Sequence, residues 1–293
     1  MTGAAILRLA ACLLAFCAGA ARARNVCEGE PLPVVARGDD PTPRVLLDVD
    51  GRRDMFLLDT GATQSTLWAP SAGPTRSASL GLPNVQQADF LQRSGARHAA
   101  RGVIGADVIA RFVLQLSPGE AYAAPACAEG KLRAAGFAPI AQTGFFARAA
   151  AGARPNVPVV FVSLAGIRAY AQIDTGYDDR LLAPTIEINP AFLAALRAAH
   201  APLVAAGKVK VATCAGPQSR GVFTSAAPLD ITSEEGAPLR RIARYNIVVK
   251  SDAACGGVGA MAEPAAQLGA SFLRIFGATV FDAGGGRVWI KRQ

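Results

Sequence analysis

The chain has 293 residues, 30 basic against 22 acidic side chains for a formal charge of +8, six cysteines and two histidines, and 51% of it is hydrophobic. That is a globular composition, long enough for about two domains of roughly 150 residues each. His98 and His200 stand alone, which excludes a multi-histidine zinc site, and no Gly-x-x-x-x-Gly-Lys-Ser/Thr run is present to support P-loop phosphate chemistry.

The N-terminus reads as an export leader. Arg8 precedes the apolar run Leu9–Ala20, and two small-x-small sites follow, Ala18-Gly19-Ala20 and Ala21-Arg22-Ala23. The run has about a dozen residues where a membrane span needs roughly 20. Removal of a signal peptide, residues 1–23, is therefore expected, with cleavage near Ala20 or Ala23, no stable membrane anchor, and a periplasmic or secreted product. Phe16 before Cys17, and Arg8 close upstream of Cys12, disfavour lipidation. Cleavage after Ala23 leaves 28 basic against 22 acidic residues, a charge of +6, and four cysteines, Cys27, Cys127, Cys214 and Cys255. An even number in an exported chain favours two disulfides. Three connectivities are open, and pairing within each half, Cys27–Cys127 and Cys214–Cys255, is the expected one. The basic residues are scattered, densest at Arg240-Arg241 with Arg244, so no nucleic-acid partner is expected. Residues 24–42 are short for a propeptide.

Further along, Val45–Val49 and a second apolar run ending at Asp59 flank Gly51 and predict a β-hairpin. Trp68 reads as core. Residues 69–100 are rich in Gly, Ser, Ala and Pro. Residues 102–112 open on Gly-Val-Ile-Gly and run into an apolar strand over 112–116. Another hairpin is predicted from residues 157–164, the turn at Gly166 and the run ending at Asp174. Asn189 caps and Pro190 opens a helix that continues over 191–200 until Pro202. Strands follow at 208–213 and 244–250, then residues 267–273, and a terminal hairpin pairs 279–282 with 287–290 across the glycines at 284–286.

The two hairpins are copies of each other. Shifted by 115 positions, Gly51 falls on Gly166, Arg53 on Arg168, and Asp59-Thr60-Gly61 on Asp174-Thr175-Gly176. One Asp-Thr-Gly is a common tripeptide, whereas two at the ends of matched hairpins are a specific signal. On these motifs the chain resembles the aspartic proteases, both retropepsin-like and pepsin-like, over most of residues 43–116 and 155–292. The segments Gly102–Phe112 and Gln267–Leu273 match the apolar-Gly stretch that crosses behind each catalytic loop in that family. The resemblance implies a mostly β, bilobal aspartic-protease-like fold with two related β-barrel-like lobes and a few short helices. It places an N-terminal lobe at 24–152 and a C-terminal lobe at 153–293.

It also implies an aspartic endopeptidase with Asp59 and Asp174 as the catalytic pair, acting on a polypeptide substrate as a monomer, without cofactor or metal. Two carboxylates about 3 Å apart share one proton, so that one activates water while the other protonates the substrate. Gly61 and Gly176 are expected to leave room for the opposite loop, and by resemblance the Thr60 and Thr175 hydroxyls bond across the lobes. A substrate-covering flap is expected from residues 69–100. Tyr177-Asp178-Asp179 replaces the small residues usual after the second motif, and its carboxylates are expected on the solvent side. The spacing from Asp to the later Gly is 46 residues in the first half (Asp59 to Gly105) and 95 in the second (Asp174 to Gly269). These departures leave a catalytically inactive binding or scaffold module as the alternative. A serine hydrolase lacks its Gly-x-Ser-x-Gly elbow here.

Overall fold

A computed structural model describes residues 25–36, 38–95, 100–140, 142–144, 157–213, 216–251 and 257–292. The expected leader and the expected Cys214–Cys255 bridge lie outside the described residues.

After β1 (Glu30–Leu32), the first half closes a barrel from β2 (Arg44–Val49), β3 (Arg52–Leu58), β4 (Thr66–Ala69), β5 (Gly73–Leu82), β6 (Val85–Ser94) and β7 (Gly102–Ile104). Val45, Leu47 and Val49 are buried while Asp48 is exposed, the period-2 pattern of a strand with one face on a core. Two residues, Asp50 and Gly51, connect β2 to β3 with φ of 53° and 73°. Positive φ at both positions gives the turn the twist of the strands it joins.

The chain continues through α1 (Ala106–Ile109), β8 (Val113–Ser117), β9 (Glu120–Ala124), α2 (Glu129–Ala134), β10 (Phe137–Pro139) and β11 (Gln142–Gly144). The second half holds β12 (Val159–Leu164), β13 (Ile167–Ile173), β14 (Thr185–Ile188), α3 (Pro190–Ala198), β15 (Leu203–Thr213) and β16 (Gly216–Ser225). Then come β17 (Leu229–Thr232), β18 (Pro238–Ile242), β19 (Asn246–Val249), β20 (Ala265–Leu268), α4 (Ser271–Phe276), β21 (Thr279–Asp282) and β22 (Arg287–Lys291). Strands β11 to β20 form one ten-stranded sheet. Its β12–β13 hairpin turns at Ala165–Gly166 with φ of 50° and 78°, repeating the first hairpin's turn. The Asn189 side chain caps α3 by accepting from Phe192 N at 2.9 Å, and Pro190 occupies its first turn.

A six-stranded antiparallel sheet, in the order β1-β9-β8-β21-β22-β10, joins the two halves, because the C-terminal hairpin β21–β22 lies between β8 and β10. Trp289 is buried beneath it with Val113, Leu132, Phe137 and Val280. Beside this cluster a disulfide links Cys27 to Cys127, 100 residues apart, tying the segment before β1 to the start of α2. No helix among the described residues is long and apolar enough to cross a membrane.

Candidate active site

Each Asp-Thr-Gly loop leaves the end of the second strand of its hairpin, and that strand end is fixed from behind. β3 runs parallel to β7 with Leu58 opposite Ile104, and β13 runs parallel to β20 with Ile173 opposite Leu268. Phe56, Leu58 and Ile104 are fully buried, each side chain contributing about 1.5–3 kcal/mol, so the departure point of the first loop is held by core packing. Asp59 N then donates to Ile104 O and Asp174 N to Leu268 O, both at 3.0 Å. Ala106 N donates to Ala62 O at 2.7 Å, and Ala270 N to Tyr177 O at 3.0 Å. The two loops are thus the same structure built twice.

They also face each other reciprocally. A Cβ added to Gly61 would stand 2.2 Å from Asp174 Cγ, and one added to Gly176 would stand 2.2 Å from Asp59 Cγ. Glycine is required at both places because each backbone lies against the opposite carboxyl. The threonines interlock. Thr60 N donates to Thr175 Oγ1 at 3.0 Å and Thr175 N to Thr60 Oγ1 at 3.2 Å. In turn Thr60 Oγ1 donates to Ile173 O at 2.6 Å and Thr175 Oγ1 to Leu58 O at 2.7 Å. Both threonines are fully buried.

The structure therefore brings Asp59, Thr60, Gly61, Asp174, Thr175 and Gly176 into one cluster. Asp59 Oδ1 accepts from Gly61 N at 2.8 Å and Ala62 N at 2.9 Å, and Asp174 Oδ1 accepts from Gly176 N at 3.0 Å. Burial pushes the Asp174 carboxyl well above the usual carboxylate range, and the charge of Asp59 and the hydrogen bond between the two carboxyls push the same way. Lys250 and the Gly176 N–H oppose that shift. Such a pair holds a proton at pH values where an isolated aspartate has lost it.

Behind the loops, Gly105 and Gly269 permit the crossing segments to approach. A Cβ on Gly105 would lie 2.7 Å from the Gln64 backbone, and one on Gly269 2.8 Å from Asp179 Cγ. Two residues beyond each glycine sits a polar helix residue, and here the halves exchange roles. In the first, Asp107 on α1 accepts from Ser65 Oγ at 2.8 Å, and Ser65 Oγ accepts from Gly105 N at 2.9 Å. In the second, Ser271 on α4 donates from both N and Oγ to Asp179 of the loop, which also accepts from Thr185 N at 2.9 Å. The expectation that Asp178 and Asp179 both lie on the solvent side is corrected for Asp179. It is buried, because Ser271 and Thr185 supply the donors a carboxylate needs away from water. Asp178 pairs at the surface with Arg180, 2.6 Å away. Burial pushes the Tyr177 phenol up, helped by the charges of Glu187 and Asp179.

The expected flap over residues 69–100 is likewise corrected among the described residues. A hairpin is present, β5–β6, but it turns at Pro83–Asn84, and Leu80 pairs with Val49 beside the β2–β3 turn. That is the end of the barrel remote from Asp59, and there Asn84 Nδ2 donates to Pro125 O at 3.0 Å. Trp68 is half-buried on β4.

Motif reading missed the groups on the outer side of Asp174. Gln267 Nε2 on β20 donates to Asp174 Oδ2 at 2.9 Å, and Lys250 Nζ donates to Gln267 Oε1 at 3.3 Å. Only the position of Gln267, two residues before Gly269, was available as a sequence cue.

No protein-family model and no curated protein sequence matches the chain. Among solved structures it is similar to the crystal structure of Basic 7S globulin from soybean, with 14% sequence identity and a TM-score of 0.45 over 89% of this chain and 94% of that one.

Proposed function

We propose that the chain is an exported aspartic endopeptidase that hydrolyses peptide bonds with water activated between Asp59 and Asp174. The observation that carries this reading is the reciprocal packing of the two loops, in which each glycine backbone lies against the opposite carboxyl. A carboxyl pair in contact, half-buried and sharing a hydrogen bond, is suited to hold one proton between two oxygens. In the reaction, the ionised carboxylate takes a proton from water as the water oxygen attacks the peptide carbonyl carbon. The protonated partner donates to the carbonyl oxygen. Collapse of the resulting diol breaks the C–N bond, and a proton from the pair reaches the leaving amine. The interlocked threonines hold the two carboxyls at fixed separation, so no reorganisation is needed as charge moves.

One chain supplies both halves of the pair, so a monomer is the expected working unit. The Cys27–Cys127 bridge fits an oxidising compartment, periplasmic or extracellular. An assay of the purified chain on an unfolded protein substrate tests the reading. Pepstatin-sensitive cleavage is expected within roughly pH 3–7, the range in which such pairs titrate. No cleavage across that range would refute it. A second reading, a non-catalytic binding or scaffold module, is favoured by the β5–β6 hairpin, whose turn lies away from the carboxyl pair. That reading predicts peptide binding without cleavage.

A further inference from the structure

The two halves match in backbone but not in what stands behind the carboxyls. One pair before the end of each parallel ladder, β3 and β7 set Leu57 opposite Val103, whereas β13 and β20 set Gln172 opposite Gln267. Val103 faces Thr66 on β4, whereas Gln267 faces Glu187 on β14. Thr66 pairs with Leu91 and Glu187 with Val248, so Arg93 and Lys250 occupy equivalent places two residues further on. Arg93 is exposed, but the Lys250 side chain is only 12% exposed and turns inward. The second half has a buried polar chain where the first has apolar and neutral side chains.

That chain is continuous. Arg220 on β16 bonds Glu187, and both side chains are buried. Lys250 Nζ lies 3.7 Å from Glu187 Oε2 and donates to Gln267 Oε1, and Gln267 in turn donates to Asp174 Oδ2. Glu187 also takes a hydrogen bond from Tyr177, which Asp179 faces from the loop. The charged groups facing Lys250 are therefore Glu187 from β14 and Asp174 beyond Gln267, with Arg220 on the far side of Glu187. Arg220, Glu187 and Lys250 together carry one surplus positive charge. Desolvating three ions adds little to stability compared with apolar side chains of the same size, so stability alone does not account for them.

We propose that Lys250 is a positioning residue of the carboxyl pair: clamped by Glu187 and linked to Asp174 through Gln267, it supplies the buried positive charge that sets the pH at which the pair gives up its shared proton. The functional meaning of this rests on the peptidase reading. A cation near one member favours the singly ionised pair over the doubly protonated one and the doubly ionised pair over the singly ionised one. Both steps therefore fall to lower pH, and Lys250 draws the working range downward.

The test is a carbon-13 NMR titration of the aspartate carboxyls without substrate, with the signals of the pair assigned from Asp59→Asn and Asp174→Asn. Lys250→Met is expected to move the upper step of the pair up by about one pH unit, the low end of what a nearby opposite charge produces. Lys250→Arg keeps it near the wild-type position, and Lys210→Met, which removes the same charge from exposed β15, leaves it unmoved. Gln267→Met breaks the link while keeping the lysine and raises the step by a smaller amount. An upper step unmoved in folded Lys250→Met overturns the proposal. Should that variant not fold, an unmoved step in Gln267→Met does so. The titration needs no turnover, so a wild-type chain that hydrolyses nothing refutes the peptidase reading and leaves this test standing. Where hydrolysis is found, the pH profile of kcat/KM moves upward in Lys250→Met in parallel with the titration.

Discussion

Replacing Thr60 by valine keeps the side chain's shape and removes only its hydroxyl. In the structure that hydroxyl serves two backbone groups of the other half, donating to Ile173 O at 2.6 Å and accepting from Thr175 N at 3.2 Å. Both are buried, so neither recovers a water partner when the hydroxyl is lost. An unsatisfied buried backbone group costs about 1–3 kcal/mol, which puts the two lost in Thr60→Val at about 2–6 kcal/mol. No cavity is made, so no further packing loss is added. Against a total stability of about 5–15 kcal/mol this is a large fraction. The assay is reversible urea unfolding of wild type, Thr60→Val and Thr75→Val, the last an exposed threonine on β5. Thr75→Val is expected within about 0.5 kcal/mol of wild type. If Thr60→Val also falls within that margin, the threonine interlock does not hold the halves together and the account of the site's rigidity fails.

Gly176→Ala places a methyl group 2.2 Å from Asp59 Cγ, so the loops must separate; a stability loss of about 1–3 kcal/mol is expected on unfolding, together with lost hydrolysis, and full activity would contradict the geometry. The folded-state pKa of Asp174 is raised from 3.8 by burial and by Asp59. Its contribution to stability is therefore fully present below the unfolded value and is lost as pH rises through the folded one. Asp174→Asn is expected to unfold at a higher denaturant concentration than wild type at pH 7 and to lose that advantage near pH 3. The same difference at both pH values would refute the linkage. Reducing the Cys27–Cys127 bridge, which closes a loop of 100 residues, is expected to lower stability by about 2–4 kcal/mol, read as the shift in urea midpoint with and without reductant. An unchanged midpoint would show that the segment before β1 is held by packing alone.

The parts of the site that were legible in the sequence are local ones. A hairpin with a two-residue turn writes itself in alternating apolar residues around Gly51 or Gly166, and the loop that follows is contiguous in the chain. The capped helix at Asn189–Pro190 and the terminal hairpin are local in the same sense. The disulfide was accessible because two cysteines fell in each half. What escaped depends on registers between distant strands. Lys250 reaches Asp174 only because β19, β14 and β20 are neighbours, and nothing in the residues around position 250 announces that order. Asp179 is buried by Ser271, 92 positions away, so its neighbours Tyr177 and Asp178 gave the wrong side. The flap expectation failed for a related reason. The composition of residues 69–100 suits an exposed hairpin, but only the Val49–Leu80 pairing reveals which way it turns.

The central claim is that Asp59 and Asp174 act as one hydrolytic unit, and the most direct measurement is cleavage of an unfolded protein substrate by wild type, Asp59→Asn and Asp174→Asn at matched concentrations. The account predicts that each asparagine variant folds and loses at least about a hundredfold in kcat/KM, the contribution of a positioned acid–base group. A folded variant of either position that cleaves at the wild-type rate would contradict it.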